Sequence, residues 1–150
     1  MNKKAFTLLE IMITVIIVGI LIFLAIHSAK KIIRHKRDAR FIADLKMLHS
    51  SAAAYILASG TVPPDTAPGE EPPALAPYLP SSFNWNAPTP IGGHWNWDAH
   101  INGVEAAVGV TAPNRSKAEM QAIEQTIDAS TPDKDSFKET PGGYMWIIEE

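Results

Sequence analysis

The chain contains no cysteine, which excludes a disulfide framework, a thiolate metal site and a cysteine nucleophile. It has no proline between Met1 and Val62, and after Ile26 no glycine until Gly60, so nothing in that stretch stops a helix. Motifs of common catalytic centres are also missing: there is no Gly-x-Ser-x-Gly, no His-Glu-x-x-His and no phosphate loop, and the five histidines are scattered. An enzyme is therefore not expected, and no metal or other cofactor is assigned.

What is present is distributed unevenly. Of 150 residues 46% are apolar, but much of that content lies in the first 26, leaving 90 residues after Gly60 for a soluble core. So small a domain buries a limited fraction of its surface and gains from packing on an adjoining helix. Charge is divided too. Residues 1 to 46 carry nine Lys/Arg against three acids, a balance of +6, and the rest carries four against thirteen, or −9. A basic rod joined to an acidic head favours attraction between staggered copies, weakened by salt where the charges are exposed.

From Phe6 to Ile26 the chain reads FTLLEIMITVIIVGILIFLAI, 21 residues in which Glu10 alone is strongly polar, behind the short basic leader MNKKA. As a helix this segment spans about 30 Å, the thickness of a bilayer's hydrocarbon core. A secretory signal peptide has a shorter apolar region and small residues before its cut; here the run is too long, and His27-Ser28-Ala29 puts a histidine where a small residue is wanted. An ordinary signal anchor fits the length but does not account for Glu10. A carboxylate in a spanning segment costs roughly 2.5 to 3.5 kcal/mol at the helix centre and less near an end. It can reach the interface beside the positive end of the helix dipole, or it can find a cationic partner.

Lys3-Lys4-Ala5, then Phe6-Thr7-Leu8-Leu9-Glu10, then the unbroken apolar run, resembles the prepilin cleavage and methylation motif of type IV pilins and type II secretion pseudopilins over residues 3 to 26. The resemblance implies a prepilin peptidase, an aspartic protease within the membrane, that cuts between Ala5 and Phe6 and N-methylates the new Phe6 amine. It implies a filament-assembly role for Glu10. The implied partners are copies of the chain or related pilins, the peptidase, an inner-membrane assembly platform and membrane lipid; nucleic acid is not expected. The implied location is the bacterial inner membrane, crossed once with the N-terminus cytoplasmic and the head periplasmic, and afterwards a pilus or pseudopilus. Ala5 departs from the glycine usual before the cut, though it remains small. The kinking proline of many such helices is absent. Physical logic runs the same way: cleavage creates a cationic amine, kept cationic by methylation, that can neutralise Glu10 of a neighbour within an apolar bundle.

The helix is expected to continue to about Ser59, roughly 80 Å in all. Phe41, Leu45, Leu48, Ala52 and Tyr55, flanked by Ile42 and Ile56, form one apolar stripe suited to holding the head. Between span and stripe, Lys30, Lys31, Arg34, Lys36, Arg37 and Arg40 place six cations in eleven residues. This collar suits acidic heads, anionic lipid or nucleic acid, and the acidity of the head favours the first.

In the head, residues 61–80 hold seven of the twelve prolines and read as a surface loop with solvated Glu70 and Glu71. His94 to Ile101 and Val104 to Thr111 flank Asn102-Gly103, a preferred type I′ hairpin turn. Ser116-Lys117-Ala118-Glu119 is a capping box opening a short helix to about Ile127, and Tyr144 to Ile148 reads as a last strand after a polar loop. Pro90-Ile91-Gly92-Gly93-His94-Trp95-Asn96-Trp97 is similar to the Gly-Gly-x-Trp-x-Trp segment before a hairpin in a subset of bacterial pseudopilin-like proteins.

The expected fold is α+β and pilin-like, one long N-terminal helix packed on a small antiparallel sheet, divided into leader 1–5, transmembrane and assembly helix 6–26, helical stalk 27–60 and head 61–150. The function implied is a structural subunit of a type IV pilus or type II secretion pseudopilus. An alternative is a minor pilin whose head binds glycan, a surface or DNA through Trp95 and Trp97, although two tryptophans on one strand face more simply pack a core. Asp128, Asp133 and Asp135 make an oxygen-rich loop for calcium, but their spacing does not match an EF-hand, and no metal residues are assigned.

Overall fold

The computed structural model describes residues 7–101, 103–129 and 136–149, leaving out the His27 side chain. The Ala5–Phe6 junction and Asp133 and Asp135 lie outside the described residues. Helix α1 (Leu8–Ser59) is followed by a 3-10 turn (Ala76–Tyr78), strands β1 (His94–Ile101) and β2 (Val104–Thr111), helix α2 (Lys117–Asp128), and strands β3 (Phe137–Thr140) and β4 (Gly143–Glu149). The strands form one antiparallel sheet in the order β1-β2-β4-β3. The architecture is thus the α+β arrangement expected, a long N-terminal helix with a small antiparallel sheet.

The helix ends where its sequence first permits. Gly60 follows with φ +68°, a left-handed conformation that glycine adopts without a Cβ clash, and its amide reaches the Ile56 carbonyl at 2.8 Å. Two compact units share α1: residues up to Lys36, and Arg37–Glu150.

In the second unit the α1 stripe enters the core. Phe41, Leu45, Leu48 and Ala52 are buried, with Ile42, Met47, Tyr55 and Ile56 packed at the margin. Each large side chain removed from water in this way contributes about 1.5 to 3 kcal/mol. Strand β1 alternates, burying Trp95, Trp97 and Ala99, while β2 buries Ala106, Val108 and Val110, β3 Phe137 and β4 Trp146. Helix α2 adds Met120, Ile123 and Ile127, and it begins on the capping box read from the sequence: Ser116 accepts from the Glu119 amide and Glu119 from the Ser116 amide. The β1–β2 hairpin pairs Ile101 with Val104 across two residues, the second of which, Gly103, has φ +81°.

Two features exceed the sequence reading. Strand β3 lies in what reads as polar loop, because only Phe137 among its four residues is apolar and buried. The Pro-rich stretch is more than a surface loop. It contains the 3-10 turn, buries Leu75, and covers the outer edge of β1: the Gly69 amide bonds the Trp95 carbonyl at 2.8 Å, the Ala99 amide bonds Asp65 Oδ1 at 3.3 Å, and Trp97 Nε1 donates to the Pro63 carbonyl at 3.2 Å. An open strand edge invites pairing with another chain, and this segment closes it.

Candidate functional site

The residues with the clearest functional demand are in the first unit. From Leu8 to Ile33 the large apolar side chains lie on every side of α1 and are exposed, from 46% at Val18 to 77% at Leu8. A helix apolar all round is stable only inside a membrane or a bundle of like helices. Among the described residues this is the one helix long and apolar enough to cross a membrane.

Within it Glu10 occupies the first turn. Its Oε2 accepts from the Thr7 amide at 3.0 Å and the Thr7 hydroxyl at 3.1 Å, while the Glu10 amide donates to Thr7 Oγ1 at 3.3 Å. These bonds constitute a reciprocal capping box with Thr7 as N-cap, which satisfies helix-terminal amides and sets the carboxylate at the positive end of the dipole. Sequence reasoning singled out Glu10 and missed Thr7. The signal was available, since Thr7-Leu8-Leu9-Glu10 has the same form as Ser116-Lys117-Ala118-Glu119. All of the described bonds to the Glu10 side chain use Oε2, leaving Oε1 without a partner among the described residues. One turn on, the Thr14 hydroxyl donates a hydrogen bond to the Glu10 carbonyl at 2.7 Å, so that it too is satisfied within the helix.

The head's aromatic residues are arranged otherwise. Trp95 is 2% exposed and Trp97 is fully buried, so neither offers a face for stacking a sugar or a base, and the ligand face considered for them is corrected to core. The reason is the strand period: both side chains lie on the buried face of β1, where the Trp95 ring stacks on Phe41 of α1 at 5.4 Å and 7°, and Trp97 spends its one donor on the Pro63 carbonyl. Trp85 is buried as well, while His94 and His100 are exposed and His100 Nδ1 lies 3.0 Å from Glu105 Oε2. Asp128 closes α2, half-buried, and the described residues include no group of three or more side chains placed to hold a metal ion. The collar cations Lys30, Lys31, Arg34, Lys36, Arg37 and Arg40 are exposed, and Arg40 Nε stands 3.7 Å from Asp44.

A half-buried titrating group lies at the margin of the head's core. His49 on α1 lies against Trp146 with ring centroids 4.3 Å apart, and its Nε2 is 3.3 Å from the Ile147 carbonyl. Burial lowers its pKa below the ordinary histidine value, with the Ile147 bond opposing.

The family model for the prokaryotic N-terminal methylation motif matches residues 1–26, which carry the prepilin-type signal of type IV pilins and pseudopilins. No curated protein and no solved structure matches the chain. The motif points to a structural subunit processed by a prepilin peptidase, and with the exposed apolar helix it fits a membrane-anchored, pilin-like protein.

Proposed function

We propose that this chain is a pilin or pseudopilin: a structural subunit of a type IV pilus or type II secretion pseudopilus, released from its leader by cleavage between Ala5 and Phe6, N-methylated on Phe6, and assembled through its N-terminal helix. The observation that carries the proposal is the methylation motif set directly on a helix whose first half is apolar all round and exposed, and whose first turn holds Glu10. In the lipid-bound subunit the Thr7 box reduces the penalty on that carboxylate, and Oε1 remains for a partner. On assembly the Phe6 amine of a neighbour supplies it. The pairing sets axial register and drives extraction from the bilayer, while the apolar sides of α1 pack against other copies.

The subunit then sits in the inner membrane with its head in the periplasm before it joins the filament. Its partners are copies of itself or related pilins, the peptidase, the inner-membrane assembly platform and surrounding lipid. A ligand-binding minor pilin is less well supported, because the tryptophans that suggested it are buried.

Mass spectrometry of the intact protein and its N-terminal peptide, from native membranes, tests the proposal. A chain beginning with N-methylated Phe6 is expected. A chain retaining Met1 to Ala5 would remove the amine on which assembly depends, and the proposal with it.

A further inference from the structure

Beyond the apolar span, the second unit contains a cleft of about 590 Å³ lined by Arg37, Arg40, Asp44 and Met47 of α1 and by Phe83 and Trp95, with prolines of the 80–90 loop along its wall. Two arginines stand against one aspartate. Arg40 is 78% exposed and meets Asp44 only at 3.7 Å, and Arg37 is exposed with no ion pair among the described residues. Burial raises the pKa of Asp44, against the pull of Arg40.

The same molecule carries an anionic segment of matching character. Glu70 and Glu71 are adjacent on the Pro-rich stretch that covers the edge of β1, and among the described residues neither side chain makes an ion pair or hydrogen bond. Four other head acids are engaged: Asp65 with the Ala99 amide, Glu105 with His100, Glu119 with Ser116 and Glu139 with Lys117. Pro68 before the pair and Pro72-Pro73 after it hold the backbone stiff, so little conformational freedom is lost when the segment docks.

We propose that the Arg37/Arg40 cleft receives the Glu70-Glu71 segment of a second copy of this chain. The two surfaces differ, so the contact is heterologous, and repeated by a rotation that does not close it builds an open filament. It rests on the subunit reading above and adds to that assembly a head-to-head contact distinct from the helix bundle.

Charge reversal in the full-length chain, expressed with its assembly machinery, is the test. R37E/R40E and E70R/E71R should each lower the yield of sheared filaments by about tenfold or more, and the four substitutions together should restore it. Protease resistance of the head, unchanged in every variant, separates this effect from misfolding. Because the chain lacks cysteine, two differently tagged copies, one carrying Arg40→Cys and the other Glu70→Cys, should form an intermolecular disulfide in filaments. Wild-type filaments whose yield ignores both reversals would overturn the contact and leave the subunit reading standing. Loss by R37E/R40E without rescue would also overturn it, assigning the arginines to another anion such as a lipid headgroup. Absence of wild-type filaments, with no disulfide, would overturn both.

Discussion

Asp38 and Arg115, 77 residues apart in sequence, form an ion pair in which Arg115 donates Nε to Asp38 Oδ1 at 2.9 Å and brings Nη2 within 2.8 Å of the same oxygen. The Nε contact is an aligned hydrogen bond and the Nη2 contact is electrostatic only. With 8% of the Arg115 side chain exposed and 23% of Asp38, the pair ties α1 to the loop that opens α2. Both residues belong to the head unit, and neither stands out in a reading of local pattern.

Removing the acid leaves a buried cation without its partner. Asp38→Ala should destabilise the head by about 3 kcal/mol, while the double change Asp38→Ala/Arg115→Met should recover much of the loss. Denaturant unfolding of the four-member cycle measures the coupling. A double variant whose loss equals the sum of the two single losses would show that the pair has no coupling.

Glu10→Leu should leave membrane insertion intact, since the span becomes more apolar, and abolish sheared filaments, since the neighbour's amine loses its counter-charge. Membrane fractionation and electron microscopy of sheared material read the two effects separately. Filaments formed by the variant at wild-type yield would take away the physical basis of the assembly proposal.

Trp97→Ala should cost the head about 3 to 5 kcal/mol, through the cavity left in the core and the Pro63 carbonyl left without its donor. Trp97→Phe keeps most of the volume and should cost less. Thermal unfolding ranks the two. A truncation that left stability unchanged would contradict the burial of this ring and restore it as a surface group.

His49 predicts acid sensitivity of a definite sign. Its pKa is lowered in the fold, so its contribution to stability is complete above the unfolded value of about 6.5 and is lost as pH falls through that value toward the lower folded one. Stability of the head measured from pH 8 to pH 5 should decline, and His49→Gln should flatten that decline.

Asp98 behaves in the opposite sense. Burial, then the nearby Asp65 carboxylate, raise its pKa, while a hydrogen bond from Asn96 opposes them. Its charged form is therefore a penalty at neutral pH, relieved as pH falls through the raised folded value. Asp98→Asn should stabilise the head at pH 7 and make no difference at low pH, where the wild-type carboxyl is already protonated.

Legibility followed the range of the interactions. The α1 stripe of Phe41, Leu45, Leu48 and Ala52, the Ser116 box and the Asn102-Gly103 hairpin are set by neighbours within a few residues, so spacing alone reveals them. The Thr7 box is equally local, but its acid stands among apolar residues, where a charge signals a membrane-embedded carboxylate more strongly than a cap. Strand β3 was hidden because its pairing with β4, and not its composition, makes it a strand.

The sequence by itself determined the long helix, its all-round apolar first half and the processing motif, because each depends on composition and order along one continuous segment. Only the tertiary structure decided that the tryptophans are core and that the Pro-rich stretch seals the β1 edge. The same holds for Asp38 finding Arg115 and for two arginines opening onto a cleft. Each of these depends on which distant residues close into contact, and a one-dimensional pattern carries no measure of that distance.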